Sequence, residues 1–545
     1  MKKHGECKSP PSEGGNVLYV MGMKSLRIED NRGIAHASHL AQERKKAGGK
    51  GAGNLIVIFF ISPTDWKMHD RGPRRIDFVL RNLREIKKQL DELNIPLMVY
   101  TSPSRKDMPK TLIDFAKQWD VKEIVGNVEY EVDECWRDVA ILKAAGEAGL
   151  YATFLEDTYV VPAFHLETKT GHQYAVFSPW NRAWTAHIEK NMHLIDESPS
   201  PEANDKGIRT GKLGNLFDRQ GEGFGIPEYV EGYECKDAEY MRKLWPAGSH
   251  SARKVLSNFV RGKGGESAFE DRASELGHKQ VAPDSKDSRL NRYGIGRNLC
   301  SENGTSRLSP YLAAGVISPR ACLRATMEVD KNKFKVGRST GTETWNTEIS
   351  FRDFYAHVLA AFPRVCMNHF FVQKYERVCW EYDDSLFQAW TEGRTGYPLV
   401  DAAMRQASQQ GYMHNRGRMT VASFLSKHLM LDWRKGERWF NQNLIDQDFA
   451  SNNAGWAWSS SCGVDPQPYF RIFNPTSQSE KCDPKGEYIK HYVPELRSLE
   501  GAAVHNPFER LSKGEFEKLG YPKPIVVHKE ARERALRRFK EPGST

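Results

Sequence analysis

Between residues 16 and 160, short apolar runs alternate with amphipathic stretches, and no other feature limits the fold as tightly. Val17 to Met21 is apolar and strand-length. Leu55 to Ile61 is an unbroken β-branched and aromatic run, as expected of a strand buried on both faces. Further short strands are expected at Pro96 to Tyr100, Glu123 to Val125 and Thr158 to Val161. Helices should fall between them, near 29–46, 73–93, 112–119 and 133–148. In the second of these, Phe78, Leu80, Leu83, Ile86 and Leu90 recur near the 3.6 period. Such alternation implies an α/β domain over 16–160 with a doubly wound parallel sheet. No GxGxxG follows a strand and no Walker motif is present, so a glycine-rich phosphate loop is not indicated.

Residues 161–250 lose the alternation. Ser198-Pro199-Ser200-Pro201 and Gly221-Glu222-Gly223 are loop signals, and the stretch reads as a long interdomain connection. From about Ala252 the β-rich runs give way to helical periodicity over Ser309–Thr326, Glu348–Phe362, Leu399–Ser408, Arg418–Leu431 and Glu437–Leu444. The second domain, 251–530, is therefore expected to be all-α, without solenoid repeats.

With 545 residues, 39% of them hydrophobic, the chain can fill large cores. No run of 18 apolar residues exists, so no membrane span is expected. Met1 to Gly15 is polar, which argues against a secretory signal. The nine cysteines are scattered, with no CxxC and no zinc spacing. Neither a disulfide framework nor a metal is expected, and a reducing compartment fits. The net charge of +9 is compatible with a polyanionic partner without requiring one.

Seven tryptophans lie between Trp345 and Trp458, interleaved with Arg352, Arg364, Arg405, Arg416, Arg418, Arg434 and Arg438. Core filling explains any single ring. Rings with arginines between them also suit flipped bases and phosphates, a cofactor pocket or an electron path. Four segments concentrate polar groups. In Gly304 to Pro310, Thr305, Ser306 and Ser309 precede a helix and could hold a diphosphate or serve as plain N-caps. In Trp345 to Arg352, Trp345, Glu348 and Arg352 share a helix face, and the last two could be an ordinary i,i+4 pair. In Gly411 to Met419, Asn415 and two arginines could meet a base and a phosphate, or form a solvated basic face. In Leu444 to Trp458, Asp446 and Asp448 precede Asn452 and Asn453. Without a neighbouring His or a third carboxylate this set suits a polar heterocycle better than a metal.

TSRLSPYLAAGVISPR, WxxExxxRDFYxH, TGYPLVDAAMRQ, MHNRxRM and NNxGWxWxxxxGxDPxPYFRIFNP occur in this order. Together they strongly resemble the DNA photolyase/cryptochrome family, and the class I cyclobutane pyrimidine dimer photolyases most closely. The resemblance spans about residues 16–495 and is most specific from Tyr293 to Pro475. It implies one non-covalent FAD inside the helical domain. By resemblance, Tyr293, Thr305, Ser306, Arg307, Leu308, Ser309 and Trp345 contact that cofactor. Arg418 stands beside the isoalloxazine with Asp446 as its partner, Asp448 lies near the ring, and Asn452 faces N5. A neutral amide there resembles the photolyases. Trp456, Trp433 and Trp380 match the family's tryptophan chain from flavin to surface.

The implied activity is light-driven repair of cyclobutane pyrimidine dimers by electron transfer from excited reduced FAD to a flipped-out dimer. Arg297, Glu348, Phe351, Arg352, Asn415, Arg416, Met419 and Trp458 match the substrate side. The family usually has Trp where this chain has Phe351, which leaves less area to stack on a dimer. Enzymes for the (6-4) photoproduct carry a His pair and a later His where this chain has His414-Asn415 and Met419, so the cyclobutane dimer is favoured. Glu134 matches the acid that contacts a methenyltetrahydrofolate antenna. The neighbouring family Asn is Asp133 here, which keeps a deazaflavin or an empty antenna site open. The expected partner is damaged double- or single-stranded DNA, bound by a monomer with no membrane attachment. The expected compartment is the nucleus, with the mitochondrion as a second site, in a eukaryote and the cytoplasm otherwise. The alternative is a cryptochrome-type blue-light receptor. The short stretch after the FRIFNP block favours the enzyme.

Overall fold

The computed structural model describes residues 14–48, 53–217, 225–261, 288–301 and 303–544. The Gly221-Glu222-Gly223 signal lies outside them. Five strands form one all-parallel sheet: β1 (Asn16–Met21), β2 (Leu55–Ile61), β3 (Leu97–Thr101), β4 (Val121–Asn127) and β5 (Tyr151–Leu155), in the order β3-β2-β1-β4-β5. Every residue of β2 is buried, as its unbroken apolar run requires. Crossovers are made by α1 (Arg32–Gly48), α2 (Pro73–Glu92), α3 (Met108–Gln118) and α4 (Val132–Glu147).

One strand differs from the sequence expectation. Thr158 to Val161 is not a strand, and β5 is the preceding run. The amides of Val160 and Val161 donate to the carboxylate of Asp353 in the helical region, at 3.0 and 3.1 Å, so no neighbouring strand is needed to satisfy them.

The connecting stretch carries a long helix, α5 (Phe177–Lys190), with Trp180 and Trp184 buried. The Trp184 indole donates to Asp353 at 3.0 Å. The segment is thus packed onto the helical region as well as bridging to it.

The expected helix Ser309–Thr326 is broken in two, Ser309–Ala313 and α6 (Pro319–Val329). Gly315 sits between them at φ +65°, where a Cβ would lie 1.8 Å from the Lys24 carbonyl oxygen, and Ser318 caps the second piece ahead of Pro319. The remaining frame comprises α7 (Gly341–Ala361), α8 (Pro398–Gln410), α9 (Asn415–Ser423), α10 (Trp433–Asn443), α11 (Phe449–Ser459), α12 (Pro475–Cys482) and α13 (His528–Lys540). A capping box from Thr340 and Glu343 fixes the start of α7. α9 ends early because its chain continues as a π-helical turn, Phe424–His428.

One apolar cluster runs from Val17 and Phe59 in the sheet to Trp345, Val358 and Tyr412 in the helical region. Arg320, fully buried, joins the two regions by bonding both Asp30 and Asp157. Five of the seven tryptophans between 345 and 458 are buried, so their first role is core.

Candidate functional site

Three segments distant in sequence meet around Glu348. The Glu348 carboxylate on α7 accepts from Arg297 and, at 3.0 Å, from Arg338. Next to Arg297, the Asn298 side-chain oxygen accepts from Arg416 Nε at 3.0 Å. Arg416 and Asn415 open α9, and both point donors at the Met419 sulfur one turn later, at 3.5 and 3.7 Å. Asn415 is exposed, while Arg416, Met419, Glu348 and Trp458 are half-buried. Arg338 and Asn298 carried no signal in the sequence.

Arg352 does not belong to this set. It is buried, donates to the Thr158 and Leu312 carbonyls at 2.7 and 3.3 Å, and lies 4.6 Å over the Tyr159 ring. The face that Trp345 shares with Arg352 turns inward, with Trp345 packed 5.0 Å from Phe259. Arg352 is therefore removed from the expected DNA contacts. Phe351 stands between the two faces, half-buried. One side of its ring is covered by Phe177, centroids 3.5 Å apart and planes 7° apart.

Below this mouth lies a second group. The side chain of His414 caps α9 by accepting the Arg416 amide at 3.1 Å. Burial, with Arg307, Arg416 and Arg418 nearby, lowers its pKa to about 3, so the imidazole is neutral with Nδ1 as acceptor. Arg418 pairs with Asp446 at 2.7 Å and donates to the Met413 carbonyl at 2.8 Å. The second oxygen of Asp446 is buried and has no hydrogen-bond partner. The amide nitrogen of Asn452 donates to the Glu437 carbonyl and to Asn441, which leaves its oxygen as the acceptor still available. Asp448 faces the other way. It caps α11 through the Ser451 amide and lies 3.5 Å from Lys24 of the sheet domain. Burial raises its pKa, but Lys24 and Arg352 outweigh that and hold it well below the usual carboxylate range. Asp448 thus stands at the domain interface, with one oxygen buried and without a hydrogen-bond partner.

The loop 304–309 carries the hydroxyls. A Cβ on Gly304 would lie 2.3 Å from the Gly296 carbonyl oxygen, so glycine is needed for this close approach. Arg307 takes φ +54°, uncommon for a residue with a side chain, and its guanidinium lies 5.0 Å from the centroid of Tyr412. The helix that follows is capped at Leu308 with no cap side-chain bond, and Ser306 Oγ accepts the Leu308 amide at 3.4 Å, so Thr305 and Ser309 are not plain caps. Tyr293 is buried against Phe259 beneath Arg297. These features fit a dinucleotide cofactor: hydroxyls for phosphates, a glycine-permitted approach, and an unanswered carboxylate oxygen for a ring N–H.

Trp456 is buried edge-on to Phe440 at 5.0 Å and to Trp390 at 6.0 Å. Gly436 lies under its ring, where a Cβ would sit 2.1 Å from a ring carbon. Trp433 starts the same helix as Gly436 and packs on Phe370, and Trp380 packs on Phe539 of α13. The indole nitrogens of Trp456, Trp433 and Trp380 are buried without partners.

A separate cavity opens at the C-terminal ends of β1, β2 and β4, where ligands commonly bind in such sheets. Glu134 lines it, 3.7 Å from His69 and 3.9 Å from Arg105, with one oxygen buried and unpartnered. Asp133 pairs with His69 and Arg105 at 3.1 and 2.8 Å.

Residues 17–202 match the family model described as DNA photolyase, and residues 345–541 match the FAD binding domain of DNA photolyase. The chain is 43% identical to a deoxyribodipyrimidine photo-lyase of Neurospora crassa, over 94% of this chain and 80% of that protein. It is 36% identical to one of Vibrio cholerae, over 89% and 93%. A bacterial class III photolyase from Agrobacterium tumefaciens shares the fold with a TM-score of 0.76 and 30% identity, over 99% of this chain and 100% of that one. An archaeal photolyase from Sulfolobus tokodaii, solved with two FAD molecules, gives 0.70 and 26%, over 96% and 99%. Both halves of the fold and the full run of motifs therefore lead to one conclusion: the chain belongs to the DNA photolyase family, with FAD as its cofactor.

Proposed function

We propose that this chain repairs cyclobutane pyrimidine dimers in DNA under light, with the mouth around Glu348 as the lesion site. The observation that carries the reading is the convergence of Arg297, Glu348 and Arg416 from three separate segments. When bound, FAD supplies a light-excitable electron donor for the dimer. Thr305, Ser306 and Ser309 offer hydroxyls to its phosphates, framed by Tyr293, Arg307, Leu308 and Trp345. Arg418 and Asp446 hold the ring edge. The Asn452 oxygen would accept from the ring and, as a neutral amide, would not deliver a proton there. Arg297 and Arg416 take phosphates, and Glu348 accepts from a thymine N–H. That bond aids the chemistry only if it strengthens as charge develops. Trp458 and the side of Phe351 turned away from Phe177 stack on the flipped dimer, with Asn415 and Met419 beside it and the Arg338 guanidinium 5.9 Å from the Phe351 centroid. Trp456, Trp433 and Trp380 pass electrons inward from the surface.

Glu134 and the cavity at the sheet end are the proposed place for a methenyltetrahydrofolate antenna. Residues 16–160 and 251–530 act as the two domains, joined by 161–250. The substrate is damaged DNA, double- or single-stranded, bound by a monomer. In a eukaryote the compartment is the nucleus, and the mitochondrion is supported by a mitochondrial relative from Saccharomyces cerevisiae, 30% identical over 96% of this chain.

The test is blue-light illumination of the FAD-loaded protein with an oligonucleotide carrying one dimer. Restored thymines are expected in the light and none in the dark. In a second arm, Trp456→Phe should keep FAD yet lose its reduction by an external thiol. No repair by fully reduced enzyme would refute the reading. Unchanged reduction in the variant would refute the tryptophan path alone.

A further inference from the structure

Two thiols meet behind the mouth. Cys300 ends the segment that supplies Tyr293, Arg297 and Asn298, and Cys482 ends α12. Both are buried and reduced. The Cys300 amide donates to the Cys482 carbonyl at 2.7 Å. With standard bond lengths that contact keeps the two Cα atoms within about 6.6 Å of each other. Disulfides span about 4.4–6.8 Å between Cα atoms. The two thiols also perturb each other electrostatically, Cys482 raising the pKa of Cys300 and Cys300 lowering that of Cys482. The Cys300 sulfur lies 3.5 Å from His414 Nδ1, which already accepts the Arg416 amide and is therefore an acceptor toward the thiol as well.

We propose that Cys300 and Cys482 form a peroxide-responsive dithiol whose closure to a disulfide weakens the hold of the neighbouring arginines on DNA. The pair is asymmetric. The His414 acceptor holds the Cys300 proton, and Cys482 together with burial pushes the pKa of Cys300 up. Proximity to Cys300 lowers the pKa of Cys482 against its burial, and Arg416 adds to the effect. Cys482 is thus the attacking thiolate and Cys300 the resolving thiol. Cys482 attacks one oxygen of hydrogen peroxide: an S–O bond forms, the O–O bond breaks, and hydroxide leaves to become water with the proton Cys482 gave up. Cys300 then attacks the sulfenic sulfur: the S–S bond forms, the S–O bond breaks, and the departing hydroxide takes the Cys300 proton as a second water. Two thiols lose two electrons and one peroxide gains them.

Closure shortens the sulfur contact to about 2.05 Å. It also removes the thiol from His414. The pull acts on the backbone two residues from Asn298 and three from Arg297, and so alters the Asn298–Arg416 bond. This second half rests on the DNA reading above. Transient, redox-sensing disulfides are the kind found in reducing compartments.

The FAD-loaded protein is treated with hydrogen peroxide, alkylated and digested without reductant. A linked Cys300–Cys482 peptide, two hydrogens lighter than its parts, is expected while Cys322 and Cys462 remain thiols. Affinity for dimer-bearing duplex should fall by about tenfold, the loss of roughly one charged contact, and recover with dithiothreitol. Cys482→Ser should bind normally and ignore peroxide. Absence of the linked peptide once exposed Cys135 is oxidised would overturn the dithiol. A linked peptide with unchanged affinity would overturn the coupling to DNA. If the reduced protein shows no preference for the dimer, the proposed function fails instead, and mass spectrometry alone decides the dithiol.

Discussion

The cavity at the sheet end and the mouth around Glu348 are both crowded with charge, but they balance it differently. At the sheet end, Lys24, His69, Arg105 and Arg137 are answered by Glu129, Glu131, Asp133, Glu134 and Asp138, while Arg71 and Arg75 on the same lining bond the neutral Gln447 and the Ala313 carbonyl. At the mouth, Arg297 and Arg338 share the carboxylate of Glu348, and the side-chain partners of Arg416 among the described residues, Asn298 and Met419, are neutral. The first set is largely buried, deeply enough that burial raises Asp138 to about 7. The second is half open, with 53% of the Arg338 side chain exposed. A balanced, buried set suits a ligand of little net charge. An arginine-rich, open set lacks anions, and nucleic acid phosphates supply them. Net charge over the whole chain hides this contrast.

The largest effect should come from the cofactor side of the mouth. Asp446→Ala leaves Arg418 unpaired, and breaking such a pair costs up to about 3–5 kcal/mol, less here because Arg418 is partly exposed. The purified variant should lose most of its FAD absorbance, whereas Glu134→Ala at the sheet end should keep it. Equal FAD content in both would show that the two clusters do not divide the ligands this way.

A smaller effect is expected at Phe351. Base–aromatic stacking is worth about 1–3 kcal/mol, so Phe351→Ala should weaken dimer binding by about that amount. Phe351→Trp should tighten binding by at most about 1 kcal/mol, because Phe177 already occupies one face. Competitive binding to a dimer-bearing duplex reads both. No change in either would mean that the ring serves only the Phe177 stack, and the receptor alternative would gain.

The smallest effect concerns a buried carboxylate beside the cofactor group, on the residue whose carbonyl accepts from Asn452. Burial raises Glu437 to about 7 from an ordinary 4.5. Its folded-state pKa lies above the unfolded one, so its stability contribution is full below about pH 4.5 and is lost as pH rises through about 7. Glu437→Gln should therefore raise Tm by roughly 2–4 °C at pH 8 and leave it unchanged at pH 4. A gain at acid pH instead would contradict the sign.

The sequence made some of this visible and hid the rest for physical reasons. β2 and α2 were legible because apolar period and burial coincide. Thr158 to Val161 misled because its amides bond a distant carboxylate, Asp353, which local pattern cannot foresee. The five motifs pointed to the mouth, yet Arg352 and Glu348, one turn apart, go to opposite environments. The partners of Arg352 are backbone carbonyls, which leave no trace in sequence. Phe177 was hidden for a related reason: it lies in a stretch that looks like a linker but packs as core.

The central claim, that the mouth around Glu348 is a DNA site for dimers, is tested most directly by salt. Affinity for a duplex with one dimer and for its undamaged twin would be measured across salt concentrations for the parent, Arg416→Gln and Arg105→Gln. The dimer should bind far more tightly, and affinity should fall as salt rises. Arg416→Gln should reduce the slope by about one ion, while Arg105→Gln should leave it unchanged. Equal affinity for both duplexes, or equal slopes in all three proteins, would contradict the account.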